Sequence, residues 1–146
     1  MAAIVHVKPG KSIGEIHIGM SKNDAEKLLS NSQLSFQIEY EGDIVSFVEI
    51  NAGAEIEFSC YYNNIDLFKT KASKLVDILD AISPYDREDS DGFTYRFPKL
   101  GLVLWRNLDF SEEDMEQPWF KEMPIENQED TMRSLYFETV GVFIPE

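Results

Sequence analysis

Apolar and polar residues alternate between residues 36 and 62. Phe36, Ile38 and Tyr40 share one parity while Gln37 and Glu39 take the other, the pattern of a strand half buried against a core. A turn at Glu41-Gly42-Asp43, a strand over 44–50, a turn over 51–54 and a third strand over 55–62 complete a predicted three-stranded meander. In the third strand Ile56, Phe58, Cys60 and Tyr62 alternate with Glu55, Glu57, Ser59 and Tyr61, which puts Cys60 on the apolar side.

On either side of this block the period becomes helical. Ser21 fits an N-cap, with Asp24 at the third helical position, where a short acid partly imitates the glutamate of a capping box. Met20 and Ala25 occupy the staple positions, and Ala25, Leu28 and Leu29 form a narrow apolar stripe that stops near Ser30-Asn31. Leu75, Val76, Leu79 and Ile82 mark a core-facing helix from about Thr70 to Ile82, ended by Pro84. Short strands are expected over 3–7 and 13–18, a hairpin over 93–97 and 102–106, a short helix capped by Ser111 and stopped by Pro118, and a closing strand over 134–144. The order ββ-α-βββ-α-ββ-insert-β predicts an α+β domain: a mainly antiparallel sheet, meander plus hairpin, with two helices packed on one face. The two halves, each a helix followed by strands, hint at a topological duplication without a residue-level repeat.

Length and composition agree with one domain. The chain has 146 residues, 43% of them apolar and 12% aromatic, enough for a single core and well above disordered composition. No apolar run nears the roughly 20 residues of a membrane span, and Met1–Lys8 lacks the features of a signal peptide, so a cytoplasmic location is expected. The one cysteine, Cys60, fits a reducing compartment.

Charge changes the picture. The net charge is −14, and Asp109–Asp130 alone holds nine acids against the single base Lys121. More than half the net charge therefore lies in an insert, residues 107–131, placed before the last strand. The loop from Tyr85 to Gly92 adds Asp86, Glu88, Asp89 and Asp91 around Arg87. Such acidity repels nucleic acid and anionic lipid and steers a basic partner toward the chain. Within the insert lie Trp119 and Phe120. Two readings of them stand open: an anchor for a partner, or a plug that pins the insert to the sheet. Trp105 is assigned to the core of its strand, with Arg106 turned toward solvent or a carboxylate.

Motifs for chemistry are missing. Gly10-Lys11-Ser12 resembles the end of a P-loop, but the first glycine would fall on Val5. Asp89, Asp91 and Gly92 match part of a calcium loop whose first and twelfth positions would be Arg87 and Pro98. His6 and His17, the only histidines, have no zinc-site spacing around them. No nucleophile elbow is present, and Cys60 lacks a positioned base. The expectation is a protein that is not an enzyme and takes no cofactor or metal.

Pro9-Gly10-Lys11-Ser12-Ile13-Gly14 followed by Ile18-Gly19-Met20-Ser21, and later Ser83-Pro84-Tyr85-Asp86 with Tyr95-Arg96-Phe97-Pro98-Lys99-Leu100-Gly101 and Trp105-Arg106, resemble the small bacterial immunity proteins of contact-dependent growth inhibition and related polymorphic toxin systems. The resemblance covers about half the chain and rests on turn and core residues, so it transfers no site. It implies an intracellular inhibitor of one cognate toxin domain, often a nuclease, monomeric when free. A basic nuclease would suit the acidic surface. The expected partner-binding residues are Asp86, Glu88, Asp89, Asp91, Glu112, Glu113, Asp114, Glu116, Trp119 and Phe120. An acidic scaffold domain of unrelated role, or a small-ligand-binding protein or hydrolase, are the competing readings.

Overall fold

A computed structural model describes residues 3–52 and 58–146. Ten strands form two five-stranded sheets that share one core. The first sheet contains β1 (Ala3–Lys8), β2 (Ser12–Ile13), β3 (Ile16–His17), β6 (Phe58–Tyr62) and β7 (Ile65–Asp66), in the order β3-β2-β1-β6-β7. The second contains β4 (Phe36–Glu41), β5 (Ile44–Asn51), β8 (Thr94–Phe97), β9 (Leu102–Trp105) and β10 (Thr139–Phe143), in the order β4-β5-β10-β9-β8. Helices α1 (Lys22–Ser30) and α2 (Ala72–Ile82) join them, and α3 (Pro118–Lys121) and α4 (Ile125–Met132) lie in the acidic insert.

The mixed α and β character and the mainly antiparallel pairing agree with the sequence, but the meander does not form. The β4–β5 hairpin is present; β6 leaves it and runs parallel to β1, with Val5 opposite Cys60. Sequential strands neighbour one another in only roughly two-thirds of cases, and alternation specifies a strand's faces without naming its partner. The predicted start of this strand, at Glu55, Ile56 and Glu57, lies outside the described residues. The single sheet with two helices is likewise replaced by two sheets and four helices. The stretch over 13–18 divides into a tiny hairpin, and the closing strand begins only at Thr139.

The suspected duplication has a topological counterpart. Strands β1 and β6 lie side by side, each leads through short strands to a helix, and each helix leads to a hairpin. The two hairpins flank β10 in the second sheet, with β5 on one side and β9 on the other.

Local signals explain the elements. Ser21 Oγ accepts the Asp24 N–H at 3.2 Å, and Ala25 is the buried residue of α1. Ala72, Leu75, Val76 and Leu79 bury one face of α2, whereas Ile82, in the last turn, is exposed, contrary to its place in the predicted stripe. In β5 the register skips Ser46, so Val45 and Val48 face the same side although three positions apart. This bulge lets Val45, Val48 and Ile50 all reach the core with Val140 and Val142 of β10 and Leu102 and Leu104 of β9. Cys60 is fully buried in the same core. Burial, reinforced by Asp66, pushes its thiol up to about 12, so it packs as a small apolar residue.

The ends of the two sheets meet where Gly10 and Gly101 touch. Gly101 has φ +74°, its carbonyl accepts from Gly10 N and Phe143 N, and a side chain there would collide with the Phe143 carbonyl and the Gly10 α-carbon. Gly42 has a similar φ, with open space around it. Gly101→Ala is therefore expected to cost about 2–5 kcal/mol, combining left-handed strain with overpacking, against about 1–2 kcal/mol for Gly42→Ala. Denaturant melts of the two variants side by side check this; equal losses would show that the contact is not tight.

Candidate functional site

The acidic insert folds as a lobe with its own small core. After β9 the chain makes a 3-10 turn over Glu112–Glu116, then α3, α4 and a second 3-10 turn over Arg133–Leu135. Phe110, Phe120 and Leu135 are buried together, with Met115, Met123 and Tyr136 packed around them. Phe110 and Phe120 have ring centroids 5.5 Å apart, and Trp119 meets both edge-on at 6.1–6.2 Å. The lobe thus extends past residue 131 to take in Leu135.

Of the two aromatic readings, Phe120 takes the plug and is only 4% exposed, which removes it from the expected contact surface. Trp119 is 47% exposed, with one face on Phe110 and Phe120 and the rest in solvent. Phe120 is the ring that meets Phe110 and Leu135, and Pro118 sets the start of the short helix that carries both rings. This proline occupies the first turn of α3, where a missing N–H costs nothing, and starts a new helix instead of merely ending the old one.

Arg106 joins the lobe to the scaffold. Its Nε donates to Gly92 O at 2.9 Å, one terminal nitrogen donates to Phe110 O and Ser134 O at 2.9 Å each, and the other donates to Asp109 at 3.0 Å. It also lies over the Phe137 ring, 5.7 Å from the centroid. Both expectations for this dipeptide are reversed in part: Arg106 is 6% exposed, although it does find a carboxylate, and Trp105 is 41% exposed instead of core. Parity is the reason. Leu102 and Leu104 are the buried positions of β9, so residue 106 continues their face and Trp105 falls on the other.

The predicted carboxylates divide into three groups. Asp86 accepts the N–H groups of Glu88 and Asp89, and Asp91 those of Phe93 and Thr94. The Thr94 and Phe93 amides hold the Asp91 carboxyl below its usual range. Asp114 accepts the Ser111 N–H at 2.9 Å and closes the 3-10 turn. These three acids shape their own loops. Glu112 pairs with Lys71 at 2.9 Å, tying the lobe to the start of α2, and Glu116 pairs with Lys121 at 3.3 Å. Glu88, Asp89 and Glu113 are exposed and carry no ion pair among the described residues. Arg87 is turned away from the acids beside it, paired with Asp80 at 2.7 Å and stacked on Tyr85. The two acidic stretches meet at one place, where Arg106 bridges Gly92 and Asp109.

Comparison with family models, curated proteins and solved structures gives no match. The site is therefore read from its chemistry alone. Among the described residues, no group of three or more His, Cys, Asp and Glu side chains could hold a metal ion, and no helix is long and apolar enough to cross a membrane. What the geometry offers is a rigid acidic lobe with one half-exposed indole.

Sequence reasoning missed the role of Arg106, for which parity was the available signal, and that of Lys71, for which none exists, because its partner is distant in the chain. Removing a guanidinium that satisfies three main-chain carbonyls leaves buried acceptors unpaired. Arg106→Leu is expected to lose about 3–5 kcal/mol in urea unfolding and to open the lobe to proteolysis within Asp109–Asp130. A lobe that stays protease-resistant in this variant would show that its own core suffices.

Proposed function

We propose that this protein is an inhibitor of the immunity-protein kind, which binds a cognate toxin domain with a basic surface, a nuclease domain first of all, in the cytoplasm. The observation that carries the reading is the lobe itself: a segment crowded with acids folds around Phe110, Phe120 and Leu135, leaves Trp119 and Ile125 exposed, and is fixed to the scaffold by Arg106 and Lys71. An acidic segment that served only solubility would need neither core nor clamp. Basic proteins that act on polyanions present a complementary field, so association is fast and dependent on salt.

The roles within the surface follow from placement. Glu112, Glu113 and Glu116, with Glu88 and Asp89, supply the steering field. Trp119, backed by Phe110 and Phe120, is the anchor, because a rigid half-exposed indole buries area at little entropic cost. Asp86, Asp91 and Asp114 contribute charge but are engaged in holding their loops. The resemblance of the turn and core segments to immunity proteins supports the choice of a toxin as partner.

The experiment measures binding to the product of the gene immediately upstream, where a toxin partner belongs. Replacing Glu113 and Glu116 by Gln, with Asp114 kept to preserve the turn and Glu112 kept to preserve its pair with Lys71, is expected to slow association severalfold at low salt and to flatten its salt dependence. Unchanged affinity and salt dependence would remove the lobe from the interface. Separately, Trp119→Ala is expected to speed dissociation, at a cost of about 2 kcal/mol or more; a change confined to the association rate would contradict its role as anchor.

A further inference from the structure

Between the outer face of the second sheet and the return segment of the lobe lies a groove. Asn51, Thr139 and Trp105 stand opposite one another on β5, β10 and β9. The Thr139 hydroxyl donates to Asn51 at 2.8 Å, so the polar groups of this row satisfy each other and leave Trp105 as its open end. Glu138, just before β10, is fixed by its main chain. Its N–H donates to Trp105 O at 2.8 Å and its carbonyl accepts from Ala52 N at 2.7 Å.

Glu138, Trp105, Tyr136, Phe68 and Arg133 are among the residues that line an open cavity of about 550 Å³. That volume falls within the roughly 300–1,000 Å³ of ligand sites. Glu138 is half-buried, and burial, then Asp130, raises its carboxyl pKa, while Arg133 acts in the opposite sense. No ion pair reaches this carboxylate among the described residues, and residues 53–57 contain no cationic side chain. Arg133 is engaged at the rim with Asp130, at 3.7 Å. A partly desolvated carboxylate that shares a cavity with an exposed indole is unfavourable in the free protein and is relieved by a cation that brings its own apolar stem.

We propose that this groove receives an arginine side chain of the protein partner, its guanidinium stacked on Trp105 and paired with Glu138. Arginine fits better than lysine because its planar fork stacks on an aromatic face and meets a carboxylate with two donors. The assignment rests on the proposed function in that the partner is basic. It adds a second contact, formed after encounter, at residues other than Trp119.

The chain has two tryptophans, so Trp119→Phe leaves Trp105 as the only indole reporter. In that background, Nα-acetyl-arginine amide is expected to change the Trp105 fluorescence saturably, whereas the neutral isostere Nα-acetyl-citrulline amide is not. Glu138→Gln should weaken this binding about tenfold, and Arg133→Gln should tighten it. A carboxylate with a raised folded pKa favours the native state less as pH rises through that pKa, so Glu138→Gln should unfold no earlier than the parent at neutral pH. Equal response to the citrulline compound, or the opposite signs for the two variants, overturns the proposal. In the full complex, Glu138→Gln should speed dissociation about tenfold while leaving association unchanged. A saturable, Glu138-dependent titration with no effect of the lobe variants on partner binding would retain the groove and discard the proposed function. Lobe variants that weaken the partner, with no saturable titration, would discard the groove alone.

Discussion

The buried guanidinium of Arg106 is the constraint on which the placement of the acidic lobe depends. A charge taken out of water is tolerated only when nearly every donor is matched. Here four nitrogen-to-oxygen bonds reach the end of one acidic loop, the start of the lobe and its return segment. Three of the acceptors are main-chain carbonyls, so the arginine holds backbone positions rather than one flexible side chain. The lobe can concentrate negative charge because its ends are fixed by a buried cation instead of by its own attractions.

That arrangement separates two tasks that would otherwise conflict. Repulsion among closely spaced carboxylates opposes compaction. The lobe offsets it with the Phe110, Phe120 and Leu135 cluster and with the Lys71–Glu112 pair. The main core, shared by both sheets with α1 and α2, contains no acidic residue.

The surface offers two kinds of contact with different physics. In the proposed complex, exposed carboxylates on the lobe would act over a Debye length and govern encounter, while the indoles of Trp119 and Trp105 would act only on contact and govern release. Glu138 is half-buried and lines the same cavity as Trp105.

By itself the sequence determined what depends on neighbours along the chain. Ser21 and its helix, the β4–β5 and β8–β9 hairpins, the buried position of Cys60 and the concentration of acid in one insert all follow from residues within a few positions of each other. The inward turn of Arg106 was also legible, since parity carries over from Leu102 and Leu104, but the usual preferences of tryptophan and arginine point the other way. Only the tertiary structure decided which strand β6 joins, because alternation orders the faces of a strand and is silent about its edges. It alone decided which of two adjacent rings, Trp119 or Phe120, would face solvent, since the apolar patch they meet is built from Phe110 and Leu135 at opposite ends of the lobe. The Glu138 groove belongs to the same class: its walls come from β5, β9, β10 and the segments beside them, and long-range pairing must form before they exist.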